Sequence, residues 1–267
     1  MLRSAKSSSI VALLTGCLLA IAPPIRAGTS VLIWPLDPTI EMEQRNGAIW
    51  LENVGSEPVT LQIRVLAWDQ QDYQDDYVTQ NNVIATPPFT TIAQGKKQLV
   101  RLTATQPAPP GREQAFRILV DEIPVRRDDV TPVSNESRGG LRFQMRYSLP
   151  LFVYGTGLWR RQAPANRSST QQAQPQLSWS IDESGGRRFL QVSNTGPGHA
   201  RLSQVRLVSS DAPQAGATST EIAPGLLGYV LPGRTMRWPL EAQVEDRGRS
   251  LQAQLMGDAT PVVLSPH

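Results

Sequence analysis

Alternation of apolar and polar residues over short stretches is the feature that most limits how this chain of 267 residues can fold. From Val59 to Ala67 every second residue is apolar, and most residues between them are polar. The stretch from Leu141 to Tyr147 alternates in the same way. Because a period of two sends alternate side chains to opposite faces of a β-strand, both stretches predict half-buried strands.

The composition extends this prediction to the whole chain. The sequence contains 22 prolines and 20 glycines, and only 6% of its residues are aromatic. Such a composition, with short runs rich in valine, isoleucine and threonine, is typical of short strands joined by turns. We predict about seven strands between residues 30 and 155, which is the strand count of an immunoglobulin-like sandwich. The acidic segment from Asp69 to Gln80 is expected to be a loop.

The second half of the chain repeats the first in outline. Asn53 opens an Asn-x-Gly turn between two apolar runs, and Gly95 follows 42 positions later. Asn194 opens a second such turn, and Gly233 follows it after 39 positions. The Asn-x-Gly turn and the later glycine thus recur in the same order at nearly the same separation, which predicts two tandem β-sandwiches. We expect the first domain at residues 28–155, a polar junction at 156–176 and the second domain at 177–267.

The N-terminus predicts a secretory signal peptide over residues 1–27. Basic residues precede an apolar run from Ile10 to Ala22, and cleavage is expected after Ala27. The chain's single cysteine, Cys17, lies inside this segment, so the mature protein would hold no thiol. Cys17 also fits a lipoprotein processing box, but the residues after it stay apolar, which favours the ordinary signal.

The sequence offers little material for catalysis or for metal binding. Its two histidines are His199, which we expect to be solvated in a turn, and the final residue His267. Without a cysteine in the mature chain, a Cys/His pair and thiolate metal sites are excluded. The acidic run from Asp69 to Asp76 lacks the glycine and glutamate of a known calcium loop. The net charge of +3 is scattered, so we expect no enzyme, cofactor, metal or nucleic-acid partner.

Several segments of the first domain occur in a telling order: Ile84 to Pro88, Gln94 to Gly95, Gln98 to Leu102, Glu113 to Pro124 and Leu151 to Tyr154. In this order they resemble the PapD-like periplasmic chaperones of the chaperone/usher pathway. The resemblance covers the second domain mainly by architecture. It implies an all-β protein of two immunoglobulin-like sandwiches in a boomerang arrangement. It also implies a periplasmic protein that lends a strand to an incomplete pilus subunit and delivers the subunit to an outer-membrane usher.

The resemblance also assigns roles to individual residues. Leu141, Phe143 and Met145 match the alternating side chains of the donated strand, and Tyr147 is a candidate fourth. Arg101 and Glu113 match a pair that forms a structural salt bridge in the family.

The carboxylate-binding residues of the best-known branch are missing from this chain. That branch binds the C-terminal carboxylate of the subunit with two basic residues, but the matching positions, near Asp37 to Ile40 and near Pro150, are not basic. The departure indicates a divergent branch. We expect Arg117 to replace them, because a guanidinium group can clamp a carboxylate, although an exposed strand arginine is an equally good interpretation.

Two other functions stay open from the sequence. A secreted pilus or adhesin subunit would need an N-terminal donor arm, but the predicted strand Val31 to Trp34 follows the cleavage site almost at once. A carbohydrate-active enzyme could use Trp159, Trp179 and Trp238 as a sugar platform, although packing in the core is the preferred use of these side chains. Self-association of the free protein, which would cover its donor strand, also stays open.

Overall fold

The computed structural model describes residues 31–41, 44–124, 144–159, 171–209, 219–241, 244, 248–256 and 260–266, and the structural statements concern these residues. The predicted signal peptide with Cys17, the donor residues Leu141 and Phe143, and His267 lie outside them. The described residues form strands and turns and contain no helix, so none of their segments is a long apolar helix able to cross a membrane.

The strands follow the chain from β1 to β19. The first ten are β1 Val31–Trp34, β2 Thr39–Glu41, β3 Asn46–Asn53, β4 Val59–Gln71, β5 Gln74–Thr79, β6 Val83–Thr86, β7 Phe89–Ile92, β8 Lys97–Ala104, β9 Glu113–Ile123 and β10 Arg146–Tyr154. Two short strands follow, β11 Leu158–Trp159 and β12 Gln171–Gln172. The last seven are β13 Leu177–Ser184, β14 Arg187–Asn194, β15 Ala200–Ser209, β16 Ser219–Val230, β17 Thr235–Leu240, β18 Arg249–Leu255 and β19 Val262–Pro266.

Strands β1 to β10 form two sheets that enclose one core. One sheet has the order β1-β3-β8-β6, and the other has the order β2-β10-β9-β4-β5 with β7 also paired to β4. The alternating apolar residues predicted on β4 point inward, since Val59, Leu61 and Ile63 are buried. They pack against buried residues of β3, β8, β9 and β10. The period of two thus places one face of each sheet in the core.

The prediction of a loop from Asp69 to Gln80 is wrong. Strand β4 continues to Gln71 and forms an antiparallel hairpin with β5. The turn residues Asp72 and Tyr73 have φ angles of 50° and 65°, which is the left-handed geometry of a tight two-residue hairpin turn. All six residues of β5 are exposed at the edge of the sheet, and charged residues are typical of such edges.

The second domain is a sandwich built around β13 to β19. Its strands have the order β16-β15-β18-β19-β13-β14-β17, in which β19 pairs with β18 and also with β13. Trp179 is buried in this core and donates its indole N–H to the carbonyl of Leu264 at 3.1 Å. Trp238 packs against the same core. Trp179 is thus a core residue, and Trp238 is partly buried against the same core, so both contribute to packing of the second domain. The fold class predicted from the sequence is confirmed.

The repeated asparagines hold equivalent turns in the two domains. The side-chain amide of Asn53 donates to the carbonyls of Glu57 and Ile92 at 2.8 and 2.9 Å. Asn194 donates to the carbonyls of Gly198 and Val230 at 2.8 and 3.0 Å.

The glycines of the repeat complete these turns. The side-chain oxygen of each asparagine accepts the N–H of the glycine two residues on, at 3.0 Å in both domains. The N–H groups of Gly95 and Gly233 bond the backbone carbonyls of Asn53 and Asn194, each at 2.8 Å. The internal repeat is therefore a repeat of structure.

An apolar cluster joins the two domains. It contains Trp68, Phe152 and Tyr154 of the first domain, Leu231 of the second, and Leu158 and Ala173 between them. Buried Gln70 donates to the carbonyl of Tyr229 and accepts the N–H of Leu231, both at 2.9 Å. At the rim, the guanidinium of Arg234 donates to both carboxylate oxygens of Asp69 at 2.7 and 2.8 Å.

Candidate functional site

Strand β10 presents an open edge over most of its length. It pairs with β9 along its whole length, from Arg146 to Tyr154. On its other side β2 pairs only with Phe152 to Tyr154. Among the residues that the structure describes, no strand pairs with the outer edge between Arg146 and Leu151. Unpaired N–H and C=O groups on such an edge can accept a strand from another chain.

The side chains of this strand pass from the core to the surface. Leu149 and Leu151 are buried, and Tyr147 packs against the same core and accepts a hydrogen bond from the N–H of Val31 at 3.4 Å. Tyr147 therefore stabilises its own domain, which is a different use from that of a fourth donor residue. Met145, on the same face two residues earlier, is 44% exposed. Beyond Met145, the predicted donor residues Leu141 and Phe143 are outside the described part of the chain.

One carboxylate ties the beginning of this strand to its sheet. Asp121 on β9 accepts hydrogen bonds from Arg64 on β4, at 2.8 Å, and from Arg146 on β10. Burial by itself raises the pKa of Asp121, but the bonds and charges of Arg146 and Arg64 outweigh burial and lower it below the ordinary aspartate value. The ionised carboxylate therefore stabilises the folded sheet.

Acidification is expected to remove this stabilisation. A carboxyl group with a lowered folded-state pKa stabilises the fold above its unfolded pKa, and that contribution is lost as the pH falls through the folded value. Asp121→Asn should lower the free energy of unfolding at pH 7 by only about 1 kcal/mol, since the side chains of Arg64 and Arg146 are 41% and 64% exposed and solvent screens their charges. Denaturant unfolding at pH 7 and below pH 3 measures this difference. An equal difference at both pH values would contradict the assignment.

Arg117 lies in the cleft between the two domains. On β9 it pairs with Pro150 of β10 and with Leu66 of β4. Its guanidinium carbon lies 3.8 Å from the centre of the Trp68 ring and 5.3 Å from that of Tyr229. Its Nε atom is buried and has no hydrogen-bond partner among the described residues. The guanidinium is thus held by aromatic rings and retains a free donor, which the interpretation as an exposed strand arginine does not explain.

A network around Asp75 fills the first-domain side of the cleft. The carboxylate of Asp75 accepts hydrogen bonds from the Trp68 indole at 2.9 Å, from Gln70 at 3.0 Å and from the Tyr77 hydroxyl at 3.0 Å. Burial and the charge of Asp75 raise the pKa of the Tyr77 hydroxyl, and Arg117 partly opposes the rise. These three donors hold the Asp75 carboxylate, and Arg117 acts on the Tyr77 hydroxyl, so the unused donor of Arg117 is its buried Nε.

The predicted salt bridge between Arg101 and Glu113 is wrong. Arg101 is exposed on β8, and within the described part of the chain no ion pair joins it to Glu113. Glu113 instead binds His199 of the second domain, with one carboxylate oxygen 2.9 Å from its Nδ1 and the other accepting its backbone N–H at 3.1 Å. The two side chains are only 1% and 4% exposed. Glu113 therefore orients the domains, but its partner is a histidine.

The expectation of a solvated His199 is also wrong. The imidazole stacks on the Phe152 ring with 3.4 Å between ring centres and 6° between ring planes. Its partners Phe152 and Glu113 lie far away in the sequence, so the local signal of glycines around His199 misled the prediction. Sequence reasoning also missed three other residues of the contact between the domains, Trp68, Gln70 and Tyr229. The sequence held a signal for two of them, because β4 buries odd-numbered residues up to Ile63 and even-numbered residues at Trp68 and Gln70.

Comparison with known proteins shows that this chain is similar to pilus chaperones. Residues 39–158 match the family model for pili and flagellar-assembly chaperones, PapD N-terminal domain. The chain is also similar to the solved CsuC–CsuE chaperone–tip adhesion subunit pre-assembly complex from archaic chaperone-usher Csu pili of Acinetobacter baumannii. That match has 29% identity and a TM-score of 0.68, and it covers 89% of this chain and 99% of the other.

Two further solved structures share the fold at lower identity. They are the YadV chaperone, with 19% identity, a TM-score of 0.58 and coverage of 88% and 99%, and the E. coli chaperone DraB, with 17% identity, a TM-score of 0.55 and coverage of 89% and 98%. No curated protein sequence matches the chain significantly.

Proposed function

Because the chain is a PapD-like chaperone of pilus assembly, we propose that it uses the open edge of β10 and the residues before it to complete an unfinished pilus subunit. It would act in the periplasm and deliver the subunit to an outer-membrane usher. The observation that carries the proposal is the strand itself, whose alternating apolar face runs from the buried Leu149 outward to the exposed Met145. The family match favours a chaperone over a structural pilus subunit.

A donated strand would stabilise an incomplete subunit in two ways. An added strand pairs the backbone groups left open at the edge of the subunit's groove, and its alternate side chains fill the apolar pockets between them. Burial of Leu141, Phe143 and Met145 would contribute roughly 1.5–3 kcal/mol for each side chain before the cost of ordering the segment. This mechanism requires no chemical reaction and no nucleotide.

Arg117 is our candidate for binding the C-terminal carboxylate of the subunit. A subunit strand added along the open edge of β10 passes Ser148 and Pro150, and Pro150 pairs directly with Arg117. The stacked guanidinium has a buried Nε without a partner, and a carboxylate can accept two parallel bonds from such a group. The similar CsuC–CsuE structure is a pre-assembly complex of a chaperone with a tip adhesion subunit, which supports subunit binding by this chain.

Periplasmic co-expression with candidate secreted β-sandwich subunits tests the proposal. We expect the wild-type chain to yield a soluble one-to-one complex, and the double variant Phe143→Asp, Met145→Asp to yield at least tenfold less, because two carboxylates would enter apolar pockets. Val263→Asp is the matched control, since Val263 is 61% exposed on β19 in the other domain. Equal recovery with the folded double variant would show that this stretch does not donate a strand.

A further inference from the structure

A cavity of about 300 Å³ lies between the two domains. Its first-domain wall includes Arg117, Asp75 and Pro150. Its second-domain wall is mostly apolar and includes Leu226, Leu227 and Trp238. Since a water molecule occupies about 30 Å³ in the liquid, this space corresponds to roughly ten waters and can hold one amino-acid residue.

A β-bulge builds the apolar wall. Gly228 of β16 pairs with Leu202 of β15, but the next pair joins Leu226 to Ser203, so Leu227 is an extra residue. In a regular strand, alternate residues point to opposite faces, whereas here Leu226, Leu227 and Gly228 all line the cavity. Bulges commonly redirect side chains toward a site, and this one leaves Leu226 53% exposed.

Gly228 sets the position of the aromatic part of the wall. A Cβ atom at residue 228 would lie 2.9 Å from Cζ2 of Trp238, which is too close for an ordinary contact. The lack of a side chain therefore lets the Trp238 ring lie directly against β16 beside the cavity.

The charge of one wall and the apolar surface of the other together fit one kind of ligand. On the first wall, the Nε of Arg117 is a buried cationic donor without a partner, and the Asp75 carboxylate beside it already accepts three hydrogen bonds. The opposite wall offers uncovered apolar surface. Ser148 and Pro150 of β10 also line the cavity, so a strand paired along the open edge of β10 passes beside it. The C-terminal residue of a polypeptide carries both a carboxylate and a side chain at one carbon, and this arrangement matches the two walls.

We propose that this cavity is a specificity subsite for the last residue of the bound subunit, with Arg117 binding its carboxylate and Leu226, Leu227 and Trp238 binding an apolar side chain. The inference rests on the proposed chaperone function and extends it, because it makes the second domain a determinant of which subunits are accepted. A subunit whose C-terminal residue is polar or charged would bind less well, because its side chain would either leave the apolar wall uncovered or lose its own hydration.

Short peptides test this subsite directly. The probes are acetyl-Gly-Gly-Leu with a free carboxylate, the same peptide ending in serine, and the leucine peptide as a C-terminal amide. Each is titrated into the full chain while the tryptophan indole N–H signals are followed by NMR. We expect the leucine acid to bind roughly tenfold more tightly than the serine acid, because its side chain is buried. The amide should also bind more weakly, because it cannot form the charged pair with Arg117.

Matched variants separate the subsite from the anchor. Leu226→Gln should remove the preference for leucine over serine and keep the preference for acid over amide, while Val263→Gln should keep both. Equal binding of the two acids to the wild-type chain overturns the subsite and leaves the role of Arg117 standing. Absence of binding at millimolar peptide also overturns the subsite. Recovery of subunits in co-expression is a separate readout, so the chaperone function can stand or fail independently.

Discussion

Asn53→Ala is expected to lower the free energy of unfolding of the first domain by about 3 kcal/mol or more. The Asn53 side chain is completely buried and makes three hydrogen bonds, two as a donor to carbonyls and one as an acceptor. Alanine would remove all three hydrogen bonds, and each buried polar group that loses its partner costs roughly 1–3 kcal/mol. Urea unfolding followed by circular dichroism measures the change.

The second domain provides a replicate of this experiment. Asn194 is 1% exposed and makes four hydrogen bonds, including one from the N–H of Gln176 at 3.1 Å. Asn194→Ala should therefore destabilise the second domain by at least as much as Asn53→Ala destabilises the first. Asn46→Ala is the control, because Asn46 is an exposed asparagine of β3 and its loss should cost less than about 1 kcal/mol. If all three variants unfold alike, the asparagine turns do not stabilise the domains.

These turns also show what the sequence could predict. A strand followed by Asn-x-Gly is a local pattern, and the bonds from each asparagine to the glycine two residues on and to the carbonyl four residues on lie within it. The bonds to Ile92 and Val230 connect each turn to a more distant strand. The repeat was therefore visible as spacing alone, and so were the two sandwiches that it implies. Alternation predicted the inward face of the first half of β4, since one face of each sheet must be buried. The hairpin of β4 and β5 was missed because its acidic residues suit either an exposed edge strand or a loop.

The joint between the domains could not be predicted in the same way. Glu113 and His199 are 86 residues apart in the sequence, and Gln70 and Leu231 are 161 apart. Neither pair follows from a spacing rule, because their proximity depends on how two finished domains pack. The prediction that Glu113 is structural named the correct residue with the wrong partner. The resemblance to the family pointed to Glu113, whereas its partner His199 is determined by how the two domains pack.

Arg117→Ala is expected to weaken subunit binding by roughly 10- to 100-fold, because hydrogen bonds to a charged group contribute about 1.5–3 kcal/mol. The fold should survive the change. Asp75 keeps its three donors, Trp68, Gln70 and Tyr77, and the apolar cluster of the joint does not include Arg117. The yield of complex in periplasmic co-expression measures binding, and thermal unfolding of the purified chain measures the fold.

Two further variants decide whether the charge or the geometry of Arg117 matters. Arg117→Lys retains a cation but loses the planar fork that stacks on Trp68, so it should restore only part of the yield. Arg101→Ala removes an exposed strand arginine from the opposite sheet and should leave the yield unchanged. Wild-type yield with a stable Arg117→Ala chain would show that the cleft arginine does not hold the subunit. Loss of yield with both Arg117 variants, but not with Arg101→Ala, would mean that the carboxylate is recognised by two directed hydrogen bonds and not by charge alone.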